Sequence, residues 1–176
     1  KRQDTDGVVI PGRPIKDDGN NRIYTCAADG ETTIAAQMDI IGNDSKEYHH
    51  ANGTADVSSS IRIRMRGNSS RAFDKPSYAI RLVDKEGENN PLSIMGMDAH
   101  HEWVLYGPWL DKTAIRNYMF YNLAGEMMSY APNVRFCEVI LNGEYEGLYV
   151  MTEVITGGKD GARLGLRVNA KHSTFS

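Results

Sequence analysis

The segment "RFCEVILNGEYEGLYVMTEVI" at residues 135–155 constrains the fold more than any other part of the chain. Asn142–Gly143 lies near its centre, and a type I′ turn requires positive φ at both central residues, which Asn and Gly tolerate best. The residues on both sides of this dipeptide are rich in β-branched and aromatic side chains, which are typical of strands. We therefore expect a β-hairpin in which residues 136–141 pair antiparallel with residues 147–153.

Two earlier segments, "IRIRMRG" and "SYAIRLV", alternate between apolar and polar or charged side chains. This period of two residues is typical of a strand that buries one face. The apolar positions are Ile61, Ile63 and Met65 in the first segment and Tyr78, Ile80 and Leu82 in the second. Three arginines, Arg62, Arg64 and Arg66, occupy the other face of the first segment. We expect these two strands to pair with each other.

A helix is expected over residues 112–127. Asp111 precedes it and can cap its first turn. Its apolar residues recur every four positions, at Ile115, Met119, Leu123 and Met127. This spacing predicts a stripe that packs in the core, with Ile115, Met119 and Leu123 buried.

Together these elements predict an α+β fold, in which one main helix packs on a face of a mostly antiparallel twisted sheet. A length of 176 residues suits one domain with a core of its own. Residues 1–21 are rich in Gly, Pro, Asp and Asn, so we expect an irregular lead-in there. Residues 22–176 are then expected to form a single α+β domain.

Composition narrows the function classes. The net charge of −3 provides no overall basic field for nucleic acid. No apolar stretch approaches the roughly 18 residues that a membrane span requires. The start of the chain lacks the pattern of a signal peptide, although such a segment could have been removed. Cys137 is expected to be a core thiol, and a Cys26–Cys137 bridge remains an alternative for an exported protein.

The run "MRGNSSRAFDKPSYAIRL" combines a glycine-containing turn with cations. Asn68 and Ser69 offer amide, hydroxyl and backbone donors, while Arg66 and Lys75 flank them. Such a turn can bind phosphate oxygens. A solvated polar loop is the alternative interpretation. The run is not a Walker A loop, because no Gly-Lys-Ser/Thr follows.

Other constellations are weaker. The adjacent pair His49–His50 and the pair His100–His101 lack the ligand spacing of a metal site, and we predict no metal-binding residues. Glu153 follows a run of apolar strand residues and could orient a cation. The aromatics Trp103, Tyr106 and Trp109 could stack on a sugar if exposed, although core positions are the more common role of such residues.

Three segments, in order and in register, resemble the spore coat protein H (CotH) kinase family. They are "RGNSSRAFDKPSYAIRL", "EWVLYGPWLDKTAIRNYMFYNLAGEM" and "VRFCEVILNGEYEGLYVMTEVI", and the resemblance covers about residues 61–155. It implies an atypical protein kinase of secreted, cell-surface or spore-coat location that uses ATP and a divalent cation such as Mg²⁺ to phosphorylate Ser-rich partner proteins. The fold would then be similar to a kinase N-lobe, with the helix in the place of the regulatory helix and the hairpin leading to the hinge.

The resemblance assigns Arg66, Asn68, Ser69 and Lys75 to the phosphates of ATP. It places Glu153 near the adenine or as an ion-pair partner of Lys75. In the family the catalytic and metal-binding Asp residues lie in a second lobe downstream of the hairpin. No Asp follows Asp160, so we expect these residues alone to bind ATP weakly and to lack catalytic residues, with the C-terminal lobe as a possible partner. The alternative is a non-catalytic secreted binding module or scaffold-associated module.

Overall fold

A computed structural model describes residues 9–17, 22–42 and 48–155. The elements in chain order are β1 (Pro14–Asp17), β2 (Arg22–Tyr24), β3 (Ile34–Ile40), β4 (Val57–Arg66), β5 (Ser77–Val83), β6 (Glu102–Tyr106), α1 (Arg116–Met127), β7 (Val134–Leu141) and β8 (Glu144–Glu153). A short 3₁₀ turn, Ser69–Ala72, lies between β4 and β5.

Six strands form one sheet in the order β3-β4-β5-β6-β8-β7, and every neighbouring pair is antiparallel. The predicted α+β class with a mostly antiparallel sheet is therefore confirmed, and β4 pairs with β5 as expected. A second sheet contains β1 and β2. Strand β1 lies inside the lead-in that was expected to be irregular, so that expectation is wrong for residues 14–17. The division into a lead-in and one domain stays a prediction.

The hairpin of β7 and β8 forms as predicted. Asn142 has φ of 51° and Gly143 has φ of 81°, the positive values that a type I′ turn needs. The pairing is interrupted once by a bulge, because Val139 faces Gly147 while Ile140 faces Tyr145. Glu146 is thus the extra residue, and Gly147 next to it also has positive φ, 81°.

The core lies against one face of the six-stranded sheet, which we call the core face. The alternating apolar residues of β4 and β5 are buried there as predicted, and Ile63 pairs with Ile80 across the two strands. The members of this cluster are Ile61, Ile63, Met65, Tyr78, Ile80, Leu82, Ile94, Met97, Trp103, Leu105, Tyr149 and Met151. The opposite, outer face carries the arginines of β4.

Cys137 packs against this cluster, which confirms the expected core thiol. Burial raises the pKa of its thiol to about 12, partly offset by a backbone hydrogen bond at Met151. Cys26 is exposed, and both cysteines are free thiols, so the alternative of a Cys26–Cys137 bridge is not realised in this structure.

The predicted burial of the helix stripe is wrong. Ile115, Met119 and Leu123 are 50%, 48% and 45% exposed, and α1 has no buried residue. The helix lies beside the edge strand β7, where the Tyr118 ring stacks on the Phe136 ring at 4.4 Å. Its half-buried residues are Asn117, Tyr118, Tyr121 and Ala124. These residues also recur with helical spacing, and they face the sheet. The predicted stripe of Ile115, Met119 and Leu123, which we call the aliphatic stripe, does not.

Asp111 organises the start of the helix, although α1 begins at Arg116, later than predicted. One carboxylate oxygen accepts hydrogen bonds from the Thr113 hydroxyl (2.6 Å) and the Thr113 N–H (3.2 Å), and the other accepts from the Arg116 N–H at 2.9 Å. Between them, Ala114 has φ of 57°. The carboxylate therefore satisfies a donor of the first helical turn from outside the helix.

No helix among the described residues is long and apolar enough to cross a bilayer.

Candidate functional site

Lys75 links the loop between β4 and β5 to the β7–β8 hairpin. Its ammonium donates to the Glu146 carbonyl oxygen at 2.9 Å and lies over the Tyr149 ring, 4.5 Å from the centroid. Gly147 makes room for this approach, because a Cβ at that position would lie 3.2 Å from Nζ. Lys75 is half-buried. The bulge in β8 therefore holds the ammonium in place, and we call Glu146, Gly147 and Tyr149 the Lys75 seat. No local sequence pattern indicated this contact.

The turn after β4 depends on glycine. Gly67 has φ of 118°, and a Cβ there would lie 2.0 Å from the Ser70 hydroxyl oxygen. Arg71 folds back, so that its Nε donates to the Gly67 carbonyl and its guanidinium lies 4.4 Å from the centroid of the Tyr24 ring. Arg71 thus fastens the turn to the small sheet, a role that the sequence analysis missed.

The predicted phosphate-binding residues do not all point the same way. Asn68 and Ser69 are exposed in the turn. Arg66 is exposed at the end of β4, where it continues the outer-face row of arginines. Lys75 instead contacts Tyr149, a residue of the core face. The structure therefore places Arg66 and Lys75 at the same end of the β4–β5 pair but on opposite faces of the sheet.

Glu153 lies at the far end of β8 from the Lys75 seat and is only 5% exposed. Its carboxylate accepts hydrogen bonds from the Asn133 N–H (3.1 Å), the Asn133 amide (3.2 Å) and the Tyr130 hydroxyl (3.5 Å). Glu153 therefore holds the connection between α1 and β7.

The segment "EWVLYGPW", at residues 102–109, packs against the loop that carries Lys75. A Cβ on Gly107 would lie 2.6 Å from the Pro76 carbonyl oxygen and 2.8 Å from that of Lys75, so glycine permits the close approach. The Gly107 N–H donates to the Ser77 hydroxyl at 3.1 Å. Because of these contacts the loop, the residues before α1 and the hairpin form one cluster at this end of the sheet.

Trp103 and Trp109, two of the aromatics considered for sugar stacking, are held by packing contacts. Trp103 is completely buried, and its indole N–H donates to the His100 carbonyl at 3.0 Å. Trp109 is half-buried between the Phe73 ring, with centroids 6.5 Å apart, and the Lys112 ammonium, 4.3 Å from its centroid. These contacts place Trp103 and Trp109 in packing roles.

In residues 9–17, 22–42 and 48–155, no three His, Cys, Asp or Glu side chains come together in a group that could hold a metal ion. The two rings of His100 and His101 stack on each other at 5.0 Å, which is a packing arrangement. The described residues therefore do not fit a resident divalent cation.

Comparison with protein-family models matches residues 63–170 to the CotH kinase protein family. A search of curated proteins found no significant match. The family match spans more than half of the chain and includes all three segments that form the cluster around Lys75. The chain therefore belongs to the CotH kinase family.

Proposed function

We propose that this member of the CotH kinase family contributes the nucleotide-binding lobe of an atypical protein kinase. It would bind ATP through Lys75 and the turn after β4, for transfer of phosphate to Ser-containing surface or coat proteins. The observation that carries the proposal is the fixed position of the Lys75 ammonium on the β8 bulge. A secreted, cell-surface or spore-coat location is part of the same proposal.

Lys75 is the principal phosphate contact in this proposal. The Glu146 carbonyl oxygen and the face of the Tyr149 ring orient the ammonium. Lysine binds phosphate as a point charge, so an ammonium with a fixed position suits this contact. Pre-organisation of the side chain also lowers the entropy cost of binding.

The exposed turn supplies the remaining contacts. Asn68 and Ser69 present amide, hydroxyl and backbone donors at the end of β4. Arg66 leaves the strand on the outer face, so its long side chain would reach the phosphates from the rim. We assign Glu153 a positioning role, because its hydrogen bonds to Asn133 and Tyr130 fix the entry into β7.

Catalytic carboxylates and the divalent cation belong to a second lobe in this proposal. Mg²⁺ commonly uses one or two carboxylates together with substrate phosphates, and the described residues supply no such cluster. The exposed aliphatic stripe of α1 supports a packing partner of this kind. Its large apolar side chains, Ile115, Met119, Phe120, Leu123 and Met127, are all at least 45% exposed. A surface of this kind is commonly covered by another protein surface.

Thermal denaturation in the presence of Mg-ATP tests the nucleotide site. A ligand that binds the folded state raises Tm as its concentration increases. We expect this rise for the native chain, and we expect the Arg66→Ala, Lys75→Ala double variant to require at least about tenfold more nucleotide for the same rise. Lys85→Ala is the matched control, since Lys85 is an exposed lysine in the turn after β5.

Two results would contradict the proposal. One is an unchanged response to Mg-ATP in the double variant, which would make the turn a solvated loop. The other is a response to oligosaccharide without any response to nucleotide, which would support the non-catalytic binding module instead.

A further inference from the structure

The outer face of the six-stranded sheet carries a compact group of arginines. Arg62 and Arg64 lie on β4, and Arg81 lies on β5 directly opposite Arg62. We call these three residues the arginine stripe. They are distinct from Lys75, which contacts the core face, and the stripe is unusual in a chain whose net charge is −3.

Strand geometry sets the spacing of these charges. Successive outer-face residues of a strand are about 6.8 Å apart, and neighbouring strands are about 4.8 Å apart. Like charges directly opposite each other on adjacent strands destabilise a sheet. The Arg62–Arg81 pair therefore carries a cost in the isolated domain that a bound anion would remove.

The stripe is partly pre-organised. The Arg62 guanidinium donates through Nε to the Thr33 hydroxyl at 3.0 Å and through Nη2 to the Thr33 carbonyl at 3.4 Å. Within the described part of the chain an ion pair joins Arg116 to Asp111, and no ion pair there involves the arginine stripe. Glu102 is the cross-strand neighbour of Arg81 on β6, and Asp84 and Glu86 line the recess beside Arg62.

The surface around the stripe is open, with a recess beside Arg62 that is lined by Val83 and by residues 84–87 of the turn after β5. Its neighbours on the same face have short or polar side chains, namely Ala35, Gln37, Ser60 and Ala79. Helix α1 contacts β7, which lies at the opposite edge of the sheet from β3 and β4. A chain in extended conformation could therefore lie close to the sheet here.

We propose that the arginine stripe binds an extended peptide segment with anionic side chains, phosphoserine or carboxylate, at every second position. An extended peptide repeats about every 6.8 Å over two residues, which matches the separation of Arg62 and Arg64. Arginine binds both phosphate and carboxylate in bidentate geometry. Single-stranded nucleic acid fits less well, because the stripe's neighbours on β3, β4 and β5 include no aromatic side chain for base stacking.

Fluorescence anisotropy with a labelled peptide tests this site without any nucleotide present, so its outcome is separate from that of the ATP site. The probe carries phosphoserine at alternate positions, and matched peptides carry glutamate or unmodified serine. We expect the phosphoserine probe to bind, the serine peptide not to bind, and added salt to weaken the complex. Binding of the glutamate peptide at similar strength would identify acidic segments in general, and its failure to bind would identify phosphorylated ones.

The Arg64→Gln, Arg81→Gln double variant should weaken binding by at least about tenfold, whereas Lys112→Gln should change it by less than about twofold, since Lys112 is exposed between β6 and α1. The Arg81→Gln single variant should keep or raise Tm, because it removes the like-charge contact with Arg62, so weaker binding would not reflect unfolding. Unchanged binding in the double variant overturns the proposal. Equal affinity for an oligonucleotide of the same charge overturns the assignment to a peptide.

Discussion

The Lys75 ammonium donates to the main-chain carbonyl of Glu146, 71 residues further along the chain, at 2.9 Å. This contact joins the turn after β4 to the bulge of the β7–β8 hairpin. It depends on Gly147, whose missing side chain leaves the ammonium its place beside Tyr149. The position of the cation is therefore set by the main chain of another strand, which makes it testable by substitutions that leave Lys75 itself intact.

Gly147→Ala should disturb this seat. Its φ of 81° costs an L-residue about 1 kcal/mol, and the added methyl group would lie 3.2 Å from Nζ of Lys75. Gly143→Ala is the matched control, since Gly143 has the same φ of 81° and nothing within 4 Å of a Cβ. Chemical denaturation should give similar losses of stability for both variants, whereas Mg-ATP binding should weaken only in Gly147→Ala. Equal nucleotide affinity in the two variants would show that the seat does not position Lys75 for phosphate.

The hairpin was predictable from sequence because its cause is local. The φ values of Asn142 and Gly143 follow from the residue types, and the flanking strands agree with the turn. The Lys75 seat was not predictable, because it depends on the register of strands that are distant in sequence. The bulge at Glu146 likewise left no pattern that a period of two residues could reveal.

The helix illustrates a different limit. Two stripes with helical spacing coexist in α1, one aliphatic through Leu123 and one through Tyr118 and Tyr121. Periodicity alone favours the aliphatic stripe, but the stacking partner Phe136 on β7 selects the other. Which face a helix buries is decided by the surface it meets, and that information is not contained in the helix.

Substitutions in α1 should reflect this arrangement. Leu123→Ala is expected to cost less than about 1 kcal/mol, since the side chain is 45% exposed. Tyr118→Ala should cost about 1–3 kcal/mol, because it removes the stack on Phe136 together with buried apolar area. Urea denaturation of the two variants measures the difference. A larger loss for Leu123→Ala would mean that the aliphatic stripe is packed after all.

The two cysteines should differ in reactivity. Alkylation requires the thiolate, and burial raises the pKa of Cys137 to about 12 from an ordinary value of 9.0. Iodoacetamide near neutral pH should therefore label the exposed Cys26 in the native protein and both cysteines in denaturant, as measured by intact mass. In Cys26→Ser, native labelling should be lost. Rapid native labelling of Cys137 would contradict its place in the core.

Asp111 should make stability depend on pH in the acidic range. Hydrogen bonds from Thr113, and then from the Arg116 N–H, hold the pKa of this carboxyl below its ordinary value of 3.8, with burial acting in the opposite direction. The residue is 7% exposed, and its hydrogen-bond partners Thr113 and Arg116 follow it closely along the chain. Because the pKa is lower in the folded state, the stabilisation is present at pH values above the unfolded pKa and is lost as the pH falls through the folded one.

Asp111→Asn, which resembles the protonated carboxyl, should therefore lower Tm near neutral pH, and the difference from the native chain should shrink as the pH falls below about 4. Asp74→Asn is the control, since Asp74 is exposed in the loop before Lys75 and should show little effect at any pH. Thermal denaturation followed by circular dichroism across this range measures both variants. A difference that stays constant into strong acid would mean that Asp111 acts through its shape and not through its charge, and the ionised carboxylate would then have no part in starting α1.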